Sequence, residues 1–311
     1  MRRRSVLVAV VVAAAVAAAA TAAACGSSSG GGEKGALRVV AAESFLADIA
    51  QNVAGDRSSV DTLIPAGADP HAFEPAPRDL AKVTEADLVI VNGAGLEGPL
   101  LDTLGNAGGS ASIVDASAGL RSRTPQPGEP PLDAGQTDPH FWLDPELVKT
   151  YVANIRDALS EADPAGAAAY AANAAAYDEK LDALDAWIED QVARIPEADR
   201  KLVMNHASHG YYADRYGLDV VGTLIPGTGT SESPTAQQLG ELTRAIRDSG
   251  TRAIFVEADE NPELAKQIAA ETGITVVGDL LDHSLTPADG VAPTYIDMMR
   301  FDTRRIVEAL Q

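Results

Sequence analysis

Apolar and polar positions along this chain follow two alternating rhythms. Short β-branched runs at 37–42 (LRVVAA), 60–64 (VDTLI), 87–91 (DLVIV) and 112–115 (SIVD) predict strands in the first half. Runs at 201–205 (KLVMN), 219–225 (DVVGTLI), 252–256 (RAIFV) and 274–277 (ITVV) do so in the second. Helical patterns lie between them, several opening on proline, at Pro77, Pro234 and Pro262, as a first helical turn allows. Strand and helix in alternation predict an α/β fold with parallel-type sheets.

The two halves echo one another. TLIP occurs at 62–65 and again at 223–226, each copy followed by a loop and a proline-started helix, and the third and fourth strands of the halves pair at nearly the same offset. This predicts two similar lobes. Between them Tyr170, Ala174, Tyr177, Leu181, Leu184, Ile188, Val192 and Ile195 recur at steps of three and four. Asp163 is the expected N-cap, Pro164 the first helical residue and Pro196 the stop. At 1.5 Å per residue the helix is a rod of about 45 Å, long enough to join both lobes stiffly; the alternative is a core helix of one large domain. The chain thus divides into a leader (1–24), a tether (25–35), an N-terminal lobe (36–162), a linking helix (163–196) and a C-terminal lobe (197–311).

Composition adds a compartment. Arg2, Arg3 and Arg4 precede an apolar run over 5–20 that is too short for a good spanning helix, and small residues lead to Cys25, the layout of an export signal. Cys25 is the only cysteine, so the chain has no intramolecular disulfide. Its place after Ala22-Ala23-Ala24 resembles a bacterial lipobox, in which the thiol carries lipid; the alternative is a plain signal peptide with an idle thiol. GSSSGGG at 26–32 reads as a flexible tether. The net charge of −21 opposes nucleic acid and anionic membranes and suits a cationic ligand.

The candidate chemistry is histidine. His71 lies in GADPHAFEP, His140 in TDPHFWLDP, His206 in VMNHASHGYY and His283 in GDLLDHSL. All four fall at or near the carboxyl ends of predicted strands, where open parallel sheets bind ligands. Asp-Pro-His-x-[Phe/Trp] occurs twice, with an aspartate two residues ahead to orient a backbone amide or a neighbouring ligand. Three or four neutral imidazoles suit zinc, copper or nickel. Trp142 and Phe73 stand beside two of these histidines as walls against water or as ordinary core. His209 shares a helical face with His206 if a helix starts there. Glu257, Asp259 and Glu260 read as acids of a loop and helix start.

These phrases, with HxxxGYYxxxYGL at 206–218, FVEADENPELAKQIAAETG at 255–273 and YIDMMRFDTRRIVEAL at the end, resemble the zinc/manganese solute-binding lipoproteins of bacterial ABC importers. The resemblance covers the mature chain in order. It implies a monomeric protein outside the cytoplasmic membrane, lipid-anchored through Cys25, that delivers a metal ion to a permease. It implies a metal between two α/β lobes on one long rigid helix, with ligands His71, His140, one from the 206 region and one from 282–283. In that family a histidine at the third position goes with Zn2+ and a glutamate with Mn2+, so His206 favours zinc and leaves manganese as the alternative. The family's fourth ligand is an aspartate in a phrase like Thr-Asp-Ser-Leu. Here the letters are Asp282-His283-Ser284-Leu285, so either residue can serve, with His283 favoured by register. The histidine-rich loop of some zinc members is absent, and 121–137 is expected to be a mobile surface loop. A zinc hydrolase is disfavoured because HExxH and GxSxG are missing and four ligands leave little room for water. An adhesin does not explain four histidines at strand ends. Affinity is expected to drop as pH falls through about 6.5, because bound imidazole must be neutral.

Overall fold

The computed structural model describes residues 37–107 and 110–311; the leader, Cys25 and the glycine-serine tether lie outside them. In the first half β1 (Val39–Ala41), β2 (Val60–Thr62), β3 (Leu88–Val91) and β4 (Ser112–Asp115) form one parallel sheet in the order β2-β1-β3-β4. In the second, β5 (Lys201–Met204), β6 (Asp219–Thr223), β7 (Ala253–Glu257) and β8 (Thr275–Leu280) repeat that order as β6-β5-β7-β8. The repeated TLIP is the end of the second strand of each sheet and the turn beyond it. Every residue of β3 and β7 is buried, the condition of inner strands covered by helices on both faces.

Helices make the crossovers that parallel strands require. They are α1 (Ser44–Ala54), α2 (Pro77–Glu85) and α3 (Gly98–Ala107), then α4 (Pro145–Ala162) and α5 (Ala167–Val192), then α6 (Gly210–Tyr216), α7 (Ala236–Ser249), α8 (Glu263–Thr272) and α9 (Tyr295–Leu310). Pro77 does start α2. Pro234 instead precedes the cap of α7, where Thr235 and Gln238 bond each other's backbone amides, and Pro262 is the cap of α8.

The linking helix is α5, whose 26 residues span about 39 Å. Its predicted inward residues, Tyr170 to Val192, are all buried. Asp163 does not cap it. A 3-10 turn over Pro164–Gly166 intervenes, and the Asp163 carboxylate accepts from the Arg57 guanidinium and the Tyr170 hydroxyl. α5 lies along α4 and touches α1 from the first half and α9 from the second. One buried cluster therefore runs through both lobes, from Val39 to Leu310, with smaller clusters on the outer faces of the sheets.

The lobes are also tied directly. Trp142 donates its indole N–H to the Asp282 carbonyl at 2.6 Å, and Tyr295 donates its hydroxyl to the Trp142 carbonyl at 2.6 Å. The Leu285 amide donates to the Ser44 hydroxyl at 2.8 Å. Segment 121–137, expected as a mobile surface loop, is an irregular surface segment pinned at particular side chains. The Gln126 side chain accepts from the Val220 amide and donates to Asp214 and to the Leu218 carbonyl, substituting for a strand partner along β6. Gly128 packs so close that a Cβ there would collide with the Val220 carbonyl. The Arg123 side chain, 6% exposed, lies between Glu129 and Asp214 and 3.6 Å from Asp138. Among the described residues no helix is long and apolar enough to cross a membrane.

Candidate metal centre

Four chain segments deliver the histidines. His71 follows β2 in the loop towards α2, and His206 stands two residues beyond β5. His140 ends the crossing segment just before a 3-10 turn at Phe141–Leu143, and His283 lies three residues beyond β8. One ring nitrogen of each lies within 4.8 Å of one from every other. Among the described residues this is the one cluster of four such donors. His140, His206 and His283 are buried, and the Nε2 atom of the partly exposed His71 is buried too.

The ring orientations are set from behind. Asp138 accepts the backbone N–H of His140 at 3.2 Å and faces its Nδ1 at 2.9 Å, so that, once ionised, its carboxylate holds a proton on Nδ1 and leaves the Nε2 lone pair to a metal. Asp69 accepts the His71 backbone N–H at 2.8 Å and is itself held by the Thr230 hydroxyl. The aspartate of each Asp-Pro-His phrase thus does what its spacing suggests. Nε2 of His206 lies 3.3 Å from Nε2 of His140. Two ligands about 2.05 Å from a tetrahedral zinc stand about 3.3 Å apart, so this pair already has the edge of a tetrahedron. The buried Nε2 of His71 and both ring nitrogens of His283 meet no hydrogen-bond partner, a cost that a cation taking the one lone pair of each ring would offset.

Protonation agrees with that use. Burial, with the other histidines behind it, holds His71 and His140 well below the usual imidazole value, and burial lowers His206 as well. These rings are neutral donors near pH 7. The nearby carboxyls move the other way, because burial pushes Asp138 up to about 7 and Glu257 and Asp282 up to about 8.

The structure brings in residues that the sequence placed elsewhere. Glu257 is no loop acid. It is the last residue of β7, buried, with Oε1 3.0 Å from Nδ1 of His206. The available signal was its position directly after RAIFV, at a strand's carboxyl end. Asp259 is exposed and Glu260 partly so. Asp282, the alternative to His283 as fourth ligand, is buried as well, 3.2 Å from Nδ1 of that neighbour. His209 shares no helical face with His206, since α6 begins only at Gly210; its Nδ1 faces the Ser208 hydroxyl at 2.8 Å. Trp142 walls the centre, its ring 5.1 Å from that of His140, whereas Phe73 packs into the outer core of the first lobe.

Comparison with known proteins matches residues 39–309 to a family described as zinc-uptake complex component A, periplasmic. The manganese-binding lipoprotein MntA of Halalkalibacterium halodurans is 35% identical over 274 residues, 88% of each chain. The iron-binding protein YfeA of Yersinia pestis is 35% identical over 87% of this chain and 85% of its own. Among solved structures, the periplasmic zinc-binding protein TroA of Treponema pallidum superposes with a TM-score of 0.79 at 26% identity, covering 88% of this chain and 98% of that one.

Proposed function

Because the chain belongs to the family of periplasmic zinc-uptake components, metal-binding proteins of ABC importers and not enzymes, we propose that it captures Zn2+ outside the cytoplasmic membrane and delivers it to a membrane permease. The observation that carries the zinc reading is the donor set: four imidazole nitrogens within 4.8 Å and no carboxylate among them. Nitrogen donors of this softness favour zinc over manganese, which prefers oxygen, and the Irving–Williams order points the same way. His71, His140, His206 and His283 are the ligands on this reading. Asp282, the alternative fourth ligand, lies 3.2 Å from Nδ1 of His283 without a hydrogen bond to it. Relatives named for manganese and iron keep Mn2+ as the second candidate.

On this proposal the protein is a monomer, and lipid on Cys25 holds it at the outer face of the cell membrane; relatives named as lipoproteins support the anchor. Competition titration of the metal-free protein tests the choice of ion. Zinc is expected to win by orders of magnitude, and equal or tighter manganese binding would overturn the assignment.

A further inference from the structure

The four-imidazole cluster uses one nitrogen of His206; the other faces a second set of donors. One donor atom each from His206, Glu257 and Asp282, all buried, lies within 4.8 Å of the other two, and the contact with Glu257 runs through Nδ1 at 3.0 Å. This is not the aligned pair that Asp138 and His140 make. Nδ1 of His206 and all four carboxylate oxygens of Glu257 and Asp282 are buried without a hydrogen-bond partner. The Asn205 side chain and the Glu257 backbone N–H lie near the Glu257 carboxylate without completing a hydrogen bond to it, and the Asn205 Nδ2 has no other partner. Oxygens left this way cost stability unless a cation collects them. Donors about 2.1 Å from an octahedral ion stand about 3.0 Å apart, the separation seen between Nδ1 and Oε1.

We propose that the cleft holds a second, oxygen-rich position for a hard divalent ion of the manganese class, built from His206 Nδ1, Glu257 and Asp282; the proposal rests on the metal-carrier reading above. The two positions exclude each other, because a neutral imidazole has one lone pair. With its proton on Nδ1, His206 turns Nε2 to the other three histidines. With its proton on Nε2, the ring donates to Nε2 of His140 at 3.3 Å and offers Nδ1 to the carboxylates. The ion's chemistry selects the state: zinc takes imidazoles, manganese takes carboxylates. Two carboxylates also offset the charge of a divalent ion, which four neutral rings do not.

Crystals of the metal-free protein loaded separately with zinc and with manganese, measured by anomalous scattering at each metal's edge, locate the ions directly. Zinc is expected bonded to Nε2 of His140 and His206, and manganese bonded to Glu257 and Asp282. Coincident peaks among the four imidazoles overturn the proposal, whereas absence of any zinc peak there overturns the zinc assignment instead. In solution, Glu257→Gln is expected to lower manganese affinity more than about 100-fold and zinc affinity no more than about 10-fold, the lower range for a partner that only supports a ligand. Equal losses for both ions count against the second position. The wild-type crystals decide the matter even if that variant folds poorly.

Discussion

Around the four histidines, charge is supplied from one layer out. Asp138, Glu257 and Asp282 each lie within 3.2 Å of an imidazole Nδ1, and burial raises them to about 7, 8 and 8. A raised carboxyl holds its proton in the metal-free protein up to its folded value and gives it up when a cation arrives. The lowered imidazoles hold none at that pH and do not compete. Zinc binding at pH 7 is therefore expected to release protons, with affinity rising from pH 6 to pH 8. Calorimetry in buffers of different ionisation heat counts them, and a count of zero would refute the scheme. Burial thus moves the pH dependence upward from the 6.5 of a free imidazole. The fourth ligand gives a second test. His283→Ala is expected to reduce zinc affinity more than about 100-fold and Asp282→Ala by at most about 10- to 100-fold, the range of a residue that only flanks a ligand. The histidines were legible because His71, His206 and His283 sit in turn phrases soon after strands and His140 repeats the Asp-Pro-His phrase of His71. The role of Glu257 was not, because burial of a carboxylate depends on which segments fold over it.

At the scale of elements, the strap over 121–137 carries the clearest stability prediction. The Arg123 guanidinium bonds Glu129 and, 91 residues further on, Asp214. Removing one member of a buried charge network costs about 3 kcal/mol, because Glu129 and Asp138 stay buried without it, although Asp214 returns to solvent. Arg123→Ala is expected to lower the urea midpoint accordingly, as chemical denaturation monitored by circular dichroism reads. The strap was unreadable in the sequence for a physical reason. Its run of proline, glycine and threonine has no periodicity, and its hydrogen-bond partners lie in another half of the chain. The linking helix was readable, since its inward stripe from Tyr170 to Val192 is set by local period alone. Its start was misplaced because Asp163 is a good cap by type but is engaged by Arg57 and Tyr170.

For the whole molecule, the shared core and the direct ties between the lobes predict concerted behaviour. Residues 37–311 are expected to unfold in one calorimetric transition, with van't Hoff and calorimetric enthalpies equal; two resolved transitions would mean that the lobes melt separately. The same ties limit opening to small tilts, so the radius of gyration in solution is expected to change by less than about 1 Å on adding zinc, unlike a wide hinge closure. Trp142 sits where these ties converge, stacked on Phe45 at 4.7 Å, bonded through its N–H to the Asp282 carbonyl and 5.1 Å from the His140 ring. The chain therefore carries its own optical probe. An ion with unpaired electrons seated among the imidazoles quenches the emission of Trp142, while Trp187, out on α5 beneath Arg300 and Arg304, keeps shining as the internal reference.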